Sequence, residues 1–183
     1  TSWNRQRSSP NIFQKRTFRP IKFLGVVAEC VDDIIMVSEQ HIEEAIALNG
    51  AANSIVGTGA LILQPATAST TIGIAGGAGT FNLDATEIAT LADGFTSIAI
   101  GRTNGTGNIV VNAVTFNDPV TIQNPLGGTI SVNGQITGAG NASVTLDGVG
   151  ATTIFSANIV TSGTTITISD SVQLNANILL DST

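Results

Sequence analysis

Short apolar runs separated by turn residues dominate the chain from about residue 54 onward. Within each run apolar and polar side chains alternate, which is the period of a β-strand with one buried face. Gly, Asn, Asp and Ser cluster between the runs, and these residues favour tight turns. The pattern predicts strands at residues 71–74, 97–100, 108–111, 120–123, 129–132, 143–146, 152–155, 165–168 and 172–174.

Equivalent residues recur along these runs at a spacing close to one coil of a β-solenoid, which takes about 20 residues or more. Thr121, Thr145 and Thr167 are separated by 24 and 22 residues. Two further series have similar spacings, namely Asn112, Asn133, Asn158 and Asn177, and Ile130, Ile154 and Val172. This periodicity favours a parallel solenoid over an antiparallel sandwich with strands of similar length.

Two stretches carry a helical pattern instead. Residues 84–92, DATEIATLA, begin with Asp84 as a predicted N-cap and have Glu87 three residues later, which is the spacing of a capping box. Residues 39–48, EQHIEEAIAL, place their apolar side chains on one helical face. A short buried strand is predicted just before that helix, at residues 23–28.

The composition changes near residue 50 and divides the chain into three parts. We predict a basic irregular arm at 1–22, a short strand–helix segment at 23–50 and a β-solenoid repeat domain at 54–183. The predicted fold class is therefore mainly β, a parallel β-helix with a small N-terminal α/β head.

The repeat region resembles a known class of bacterial proteins. Residues 79–107, GTFNLDATEIATLADGFTSIAIGRTNGTG, are followed by VTFNDPVTIQ and ISVNGQITGAGNASVTL. This block is similar to repeats of large secreted bacterial exoproteins related to filamentous haemagglutinin, and the similarity runs from about residue 56 to 183. The resemblance implies a right-handed parallel β-helix, export to the cell surface, a structural or adhesive role and no catalytic residues.

A second, shorter resemblance lies upstream. Residues 27–46, VAECVDDIIMVSEQHIEEAI, resemble a stretch near the end of the catalytic domain of threonine dehydratases and serine racemases, which are pyridoxal-phosphate enzymes. No functional residue carries over, because the family's Schiff-base lysine and glycine-rich phosphate loop belong to other motifs that this sequence lacks. Lys15 and Lys22 lie in different contexts. We therefore predict a strand–helix fragment without the enzyme and without a cofactor.

Charge and cysteine content narrow the functional classes. Six of the seven basic residues lie in the first 22, and after residue 50 seven acidic residues accompany Arg102 alone. The repeat region thus has no basic stripe for nucleic acid. Cys30 is the only cysteine, which leaves no intrachain disulfide or zinc spacing. The sequence contains no apolar run of about 18 residues, so we predict no membrane span.

The residues with reactive side chains form no recognisable catalytic or metal motif. His41, the only histidine, lies on the predicted helix, and no G-x-S-x-G motif accompanies it. Neighbouring residues of an extended segment point to opposite faces, which argues against a metal pair at Asp32 and Asp33. The glycine-rich residues 73–79 precede a strand-like run, whereas a dinucleotide loop opens a helix. The acids of the repeat region are predicted to lie at turns, at Asp118, Asp147, Asp170 and Asp181.

These observations predict no catalytic, cofactor-binding or metal residues and a protein that is not an enzyme. The leading hypothesis is a structural or adhesive segment of a bacterial cell-surface or extracellular protein. We expect such a segment to associate with itself along the solenoid axis, into filaments, and to contact surface or matrix polysaccharide or protein. One alternative is a carbohydrate-binding solenoid, a second is a degenerate fragment fused to a piece of a pyridoxal-phosphate enzyme, and a third is an ice-binding face formed by Thr-x-Thr.

Overall fold

The computed structural model describes residues 34–38, 46–148 and 150–183. Its strands wind into a β-solenoid of about 4 turns. The strands are β1 Ile34–Ser38, β2 Ala60–Pro65, β3 Ile72–Ile74, β4 Phe81–Leu83, β5 Ser97–Gly101, β6 Ile109–Val111, β7 Val114–Phe116, β8 Val120–Gln123, β9 Thr129–Val132, β10 Ile136–Gly138, β11 Val144–Asp147, β12 Thr152–Phe155, β13 Ile159–Thr161, β14 Ile166–Ile168, β15 Ser171–Leu174 and β16 Leu180–Asp181. One helix, α1, covers Ala85–Ile88.

Three parallel sheets form the sides of the solenoid. The first face has the order β1-β2-β5-β8-β11-β14, the second β15-β12-β9-β6-β3-β4 and the third β16-β13-β10-β7. Every pairing between these strands is parallel. Apart from β4, which pairs with β3 of its own coil, each strand lies beside its counterpart in a neighbouring coil. The predicted fold class, a mainly β parallel solenoid, is confirmed, and among the described strands no antiparallel sandwich forms.

The threonine series gives the correct register on the first face. Thr121 pairs with Thr145, and Thr145 pairs with Thr167, so the three side chains occupy one position in successive coils. They are outward positions, because the residues on either side of each threonine point into the solenoid. A threonine row of this kind is a consequence of period-2 alternation repeated at each coil.

The other two series are displaced by one or two residues. On the second face Ile130 pairs with Thr153, and Thr153 pairs with Val172, so the predicted member Ile154 was wrong. The asparagine series was also wrong beyond its first two members. The residues that follow the second-face strands and donate to the previous coil are Asn112, Asn133, Ser156 and Asn175, which excludes Asn158 and Asn177 from that position.

Alternation along each strand produces the core. On the first face Val120 and Ile122 are buried around the outward Thr121, and the same pattern recurs in the coils on both sides. The interior is filled mostly by Val, Ile and Leu, and Phe116 and Phe155 are buried among them. Full burial of one such side chain contributes about 2 kcal/mol to stability, so the stacked rows supply the main favourable term.

The third face was missing from the predicted strands. Its first three strands, β7, β10 and β13, have three residues each, and β16 has two. Each three-residue strand directs its first and last residues inward and its middle residue outward. Strands this short give only a weak alternation signal, although β3, β6 and β14 have the same length and were predicted.

An enlarged coil lies near the N-terminal end of the described solenoid. The step between paired residues on the first face is 37 residues from Leu61 to Ile98, but 22 from Ile98 to Val120. The larger coil contains β4 and α1. The predicted capping box is confirmed, with Asp84 and Glu87 each accepting a hydrogen bond from the other's backbone N–H, although the helix is shorter than the predicted 84–92.

The upstream predictions lie largely outside the described residues. The predicted strand at 23–28 and the arm at 1–22 fall there, as does the predicted helix at 39–48 except for its last three residues. Residues 46–48 are described and are not helical. Within the predicted 23–50 segment, β1 pairs with β2 and thereby joins the first face.

Candidate functional site: the C-terminal end of the solenoid

The upstream residues that carried sequence hypotheses lie outside the described part of the chain. They are Lys15, Lys22, Cys30, Asp32, Asp33 and His41. The interpretation of these side chains as non-catalytic stays a prediction.

The glycine-rich residues 73–79 form a tight connection between β3 and β4, and a strand follows them, as the sequence predicted. A Cβ added at Gly73 would lie 2.0 Å from the Gly77 carbonyl oxygen, and one at Gly77 would lie 2.1 Å from that of Val110. Real Cβ atoms do not approach backbone this closely, so the glycines are explained by close chain packing.

The last four of the seven acids of the repeat region are dispersed over different coils. Asp118 and Asp170 lie in bends, as predicted, whereas Asp147 and Asp181 are the last residues of β11 and β16, so the turn prediction was wrong for them. Within the described ranges no three His, Cys, Asp or Glu side chains are grouped closely enough to hold a metal ion. These acids therefore do not form one shared site.

The aromatic side chains of the described region are Phe81, Phe95, Phe116 and Phe155, and all four are buried. Sugar-binding surfaces commonly stack an exposed ring against the sugar. None of these rings is available for that contact, which removes the main support for a carbohydrate site on the described faces.

The C-terminal end differs from the rest of the solenoid in exposing its interior positions. Val172 and Leu174 on β15 stack on Thr153 and Phe155, which are both 0% exposed, yet they are themselves 49% and 61% exposed. Leu180 stacks on the fully buried Ile159 and is 46% exposed. We name the inward positions of this last coil the terminal apolar face, which consists of Ile166, Ile168, Val172, Leu174 and Leu180.

Backbone edges surround the terminal apolar face. β14, β15 and β16 are the outermost strands of the first, second and third faces, and each is paired on one side only among the described strands. A cleft of about 400 Å³ opens between β14 and β16, with Ile166, Ile168 and Leu180 among its lining residues. Unpaired backbone N–H and C=O groups beside apolar side chains are a template for further strand pairing.

Few charges lie near this end. Asp170 and Asp181 are the only charged residues in the last 20. Two hydrogen bonds from Thr183 lower the pKa of Asp181, and the one from its hydroxyl has a larger effect than the one from its backbone N–H. Its carboxylate is on the outward position of β16, beside Leu180, so the apolar positions themselves carry no charge.

The opposite end of the described solenoid is covered. Ile88 of α1 and Leu91 are buried together with Leu48 and Ile55, and Ile55 forms a bridge with Leu91. The Glu87 carboxylate accepts a hydrogen bond from the Leu48 N–H at 3.1 Å, which ties the segment before β2 to the helix. The enlarged coil thus buries its apolar side chains, and the last coil does not.

The sequence contained part of the signal for this site. It predicted the strand at 172–174, and its last residues remain apolar, but it gave no measure of which apolar residues a further layer would cover.

No helix in the described ranges combines the length and apolarity needed to cross a membrane. Comparison of the chain with protein-family models, with curated proteins and with solved structures found no match.

Proposed function

We propose that this chain is a non-catalytic structural or adhesive segment of a bacterial cell-surface or extracellular protein, and that it self-associates along the solenoid axis. Where no further coil covers it, the terminal apolar face is the observation that carries the self-association. The similarity of residues 56–183 to repeats of filamentous-haemagglutinin-like exoproteins supports the surface location. The outward threonine row of the first face offers hydroxyl groups for contacts with matrix polysaccharide or protein.

Burial of the terminal apolar face supplies a driving force for association. Val172, Leu174 and Leu180 are each about half exposed. Because full burial of one such side chain contributes about 2 kcal/mol, covering all three contributes roughly 3 kcal/mol before the entropy of association is subtracted. Pairing of the three strand edges adds backbone hydrogen bonds to this term.

A second copy of the chain is the occupant that fits this end. The face presents three parallel strand edges around an apolar centre, and another solenoid end presents the same arrangement. The low charge of the last coil removes a common barrier to edge pairing. Contact between two C-terminal ends closes as a dimer, whereas growth into filaments would also require the covered opposite end to open.

The test is a concentration series of the purified chain by light scattering and sedimentation velocity. We expect the average mass to rise with concentration for the wild type. The double variant Leu174→Lys with Leu180→Lys should remain monomeric, since association would bury two ammonium groups without partners.

The matched control is Gln173→Lys, which adds a charge at the neighbouring outward position of the same strand. This variant should associate like the wild type. A wild type that stays monomeric at the highest concentration, or a Gln173→Lys variant that loses association as fully as the double variant, would contradict the proposal.

A further inference from the structure

One corner of the solenoid holds two buried acceptor oxygens without a hydrogen-bond partner. They are Oδ1 of Asn124 and Oδ1 of Asp170. Asn124 follows β8, Gly148 follows β11, and Asp170 comes two residues after β14, so the three residues lie at the same corner in consecutive coils. We name these three residues the polar corner.

The orientation of the Asn124 amide is fixed by its own hydrogen bonds. Its Nδ2 donates to the Gly107 carbonyl at 2.9 Å and to the Thr129 carbonyl at 3.4 Å. Exchange of the amide nitrogen and oxygen would place an oxygen against two carbonyls, so the carbonyl end must face the other way. That end points toward Gly148, and the whole residue is only 1% exposed.

Gly148 leaves the space in which the two side chains meet. A Cβ on this glycine would lie 2.6 Å from Asp170 Oδ2 and 3.3 Å from Asn124 Oδ1. Two oxygens from different coils therefore approach one point beside the glycine. Its φ is not in the left-handed region, so the need for space, and not the backbone conformation, explains a glycine here.

The charge in this corner is not compensated by a basic residue of the described chain. Arg102 is the only lysine or arginine in the described ranges, and its guanidinium donates to the carbonyls of Pro65 and Ala66. The Asp170 carboxylate receives one hydrogen bond, from the hydroxyl of the buried Thr153, on Oδ2. Its Oδ1 and the Asn124 oxygen both still require a positive or hydrogen-donating partner.

We infer that the polar corner binds a hard cation between Asn124 Oδ1 and the Asp170 carboxylate, with Ca²⁺ as the best-fitting ion. Both groups are oxygen ligands of the kind that Ca²⁺ takes, and its flexible coordination accepts water in the remaining positions. Asp170 as a whole is partly buried, whereas both unpaired oxygens are buried. The ion joins the last coil to the coil two layers below it.

The experiment is a calorimetric titration of the chelator-treated chain with Ca²⁺, together with thermal unfolding at increasing Ca²⁺. We expect saturable binding and a melting temperature that rises with ion concentration, because the ligand binds the folded state. Asp170→Asn should weaken binding at least about tenfold, since it removes the ligand charge. The control Asp147→Asn removes the same charge from the outward side of the neighbouring coil and should bind like the wild type.

Asn124→Asp provides a test in the opposite direction. It adds a second carboxylate to the corner, and we expect tighter Ca²⁺ binding together with a lower melting temperature in chelator. Parallel titrations with Mg²⁺ and Na⁺ identify which hard cation binds best, and far-UV circular dichroism verifies folding of each variant. Absence of saturable binding by all three ions, or equal binding by wild type and Asp170→Asn, would overturn the inference and leave a bridging water as the partner of the two oxygens.

Discussion

At the scale of single residues, Asp118 is an acid held in the interior by backbone hydrogen bonds. It lies in the bend between β7 and β8, is 1% exposed, and its Oδ1 accepts from the Gly94 N–H at 3.0 Å. Burial raises the pKa of this carboxyl; the N–H groups of Gly94 and Phe95 oppose that effect, and the nearby Asp93 reinforces it. The folded chain therefore holds this proton more tightly than the unfolded chain does.

This raised pKa predicts a loss of stability with increasing pH. Stability falls wherever the folded state binds more protons than the unfolded state, which for Asp118 begins near the ordinary aspartate pKa of about 3.9 and continues through the raised pKa. Asp118→Asn keeps an oxygen for the Gly94 N–H and removes the charge. We expect this variant to lose that downward component of the pH dependence, measured by urea unfolding between about pH 3 and 7.

Asp84 supplies a control of opposite sign. Hydrogen bonds from the Thr86 hydroxyl and the Glu87 N–H lower its pKa, so its contribution to stability is present above the ordinary pKa and is lost as the pH falls through the lowered one. Asp84→Asn should therefore remove a component of stability that rises with increasing pH. This change is opposite in sign to the one expected for Asp118→Asn. If Asp118→Asn and wild type have the same pH dependence, the raised pKa of Asp118 is wrong.

At the scale of elements, α1 is a helix of four residues that depends on its cap. Asp84 Oδ1 accepts from the Glu87 N–H at 2.8 Å, and Glu87 Oε2 accepts from the Asp84 N–H at 2.8 Å. A helix this short has too few internal hydrogen bonds to form alone. The capping box and the buried side chain of Ile88 therefore hold it in place.

Removal of the cap should destabilise the enlarged coil. We expect Asp84→Ala to lower the free energy of unfolding by about 1 kcal/mol, because the Glu87 N–H loses its acceptor. Asp84→Ser, which keeps an N-cap oxygen, should restore most of this loss. Chemical denaturation of the three proteins at neutral pH measures the difference, and equal stability of the alanine variant and the wild type would contradict the role of the cap.

The strands show how far local pattern predicts an element. All nine predicted strands are present on the first and second faces, because each coincides with a run of three or four residues that the sequence displays directly. The predictions missed β2 and β4 as well as the third face, whose strands have three residues or fewer. At Gly138 one of the inward positions is a glycine, which in sequence is typical of a turn.

At the scale of the whole molecule, each coil is stabilised by its two neighbours. Central strands such as β8 and β11 pair on both sides, whereas β14, β15 and β16 pair on one side only among the described strands. In a linear repeat of this kind, stability is approximately a sum of coil and neighbour terms. The last coil, which has a neighbour on one side only, therefore has a lower local stability than the central coils.

This asymmetry predicts a gradient in hydrogen exchange. At low concentration we expect amides of β14–β16 to exchange fastest among the strands and those of β8 and β11 slowest, measured by mass spectrometry of peptides. Raising the concentration should slow exchange in β14–β16 of the wild type and not in the variant with Leu174→Lys and Leu180→Lys. Uniform protection along the chain, independent of concentration, would contradict both the gradient and the proposed stacking.

The sequence by itself determined the features that depend on neighbouring residues. Period-2 alternation gave the strands, the Asp84–Glu87 spacing gave the capping box, and the threonine series gave the first-face register. The strands and the capping box depend on contacts within one element. The threonine register depends on a repeat whose spacing matches the length of each coil on the first face. They need no knowledge of how the other faces close.

Only the tertiary structure decided the remaining features. On the second face Ile109, Ile130, Thr153 and Val172 pair in succession, and the number of residues between them varies because the turns differ in length. The isoleucine and asparagine series, which were predicted by counting residues, are therefore displaced from the true positions. The polar corner was likewise absent from the predictions, and association along the axis was predicted without the set of residues that forms the terminal apolar face. Both depend on which residues of separate coils stack and on whether a further layer covers them, and these relations are fixed by the closure of three faces around one core.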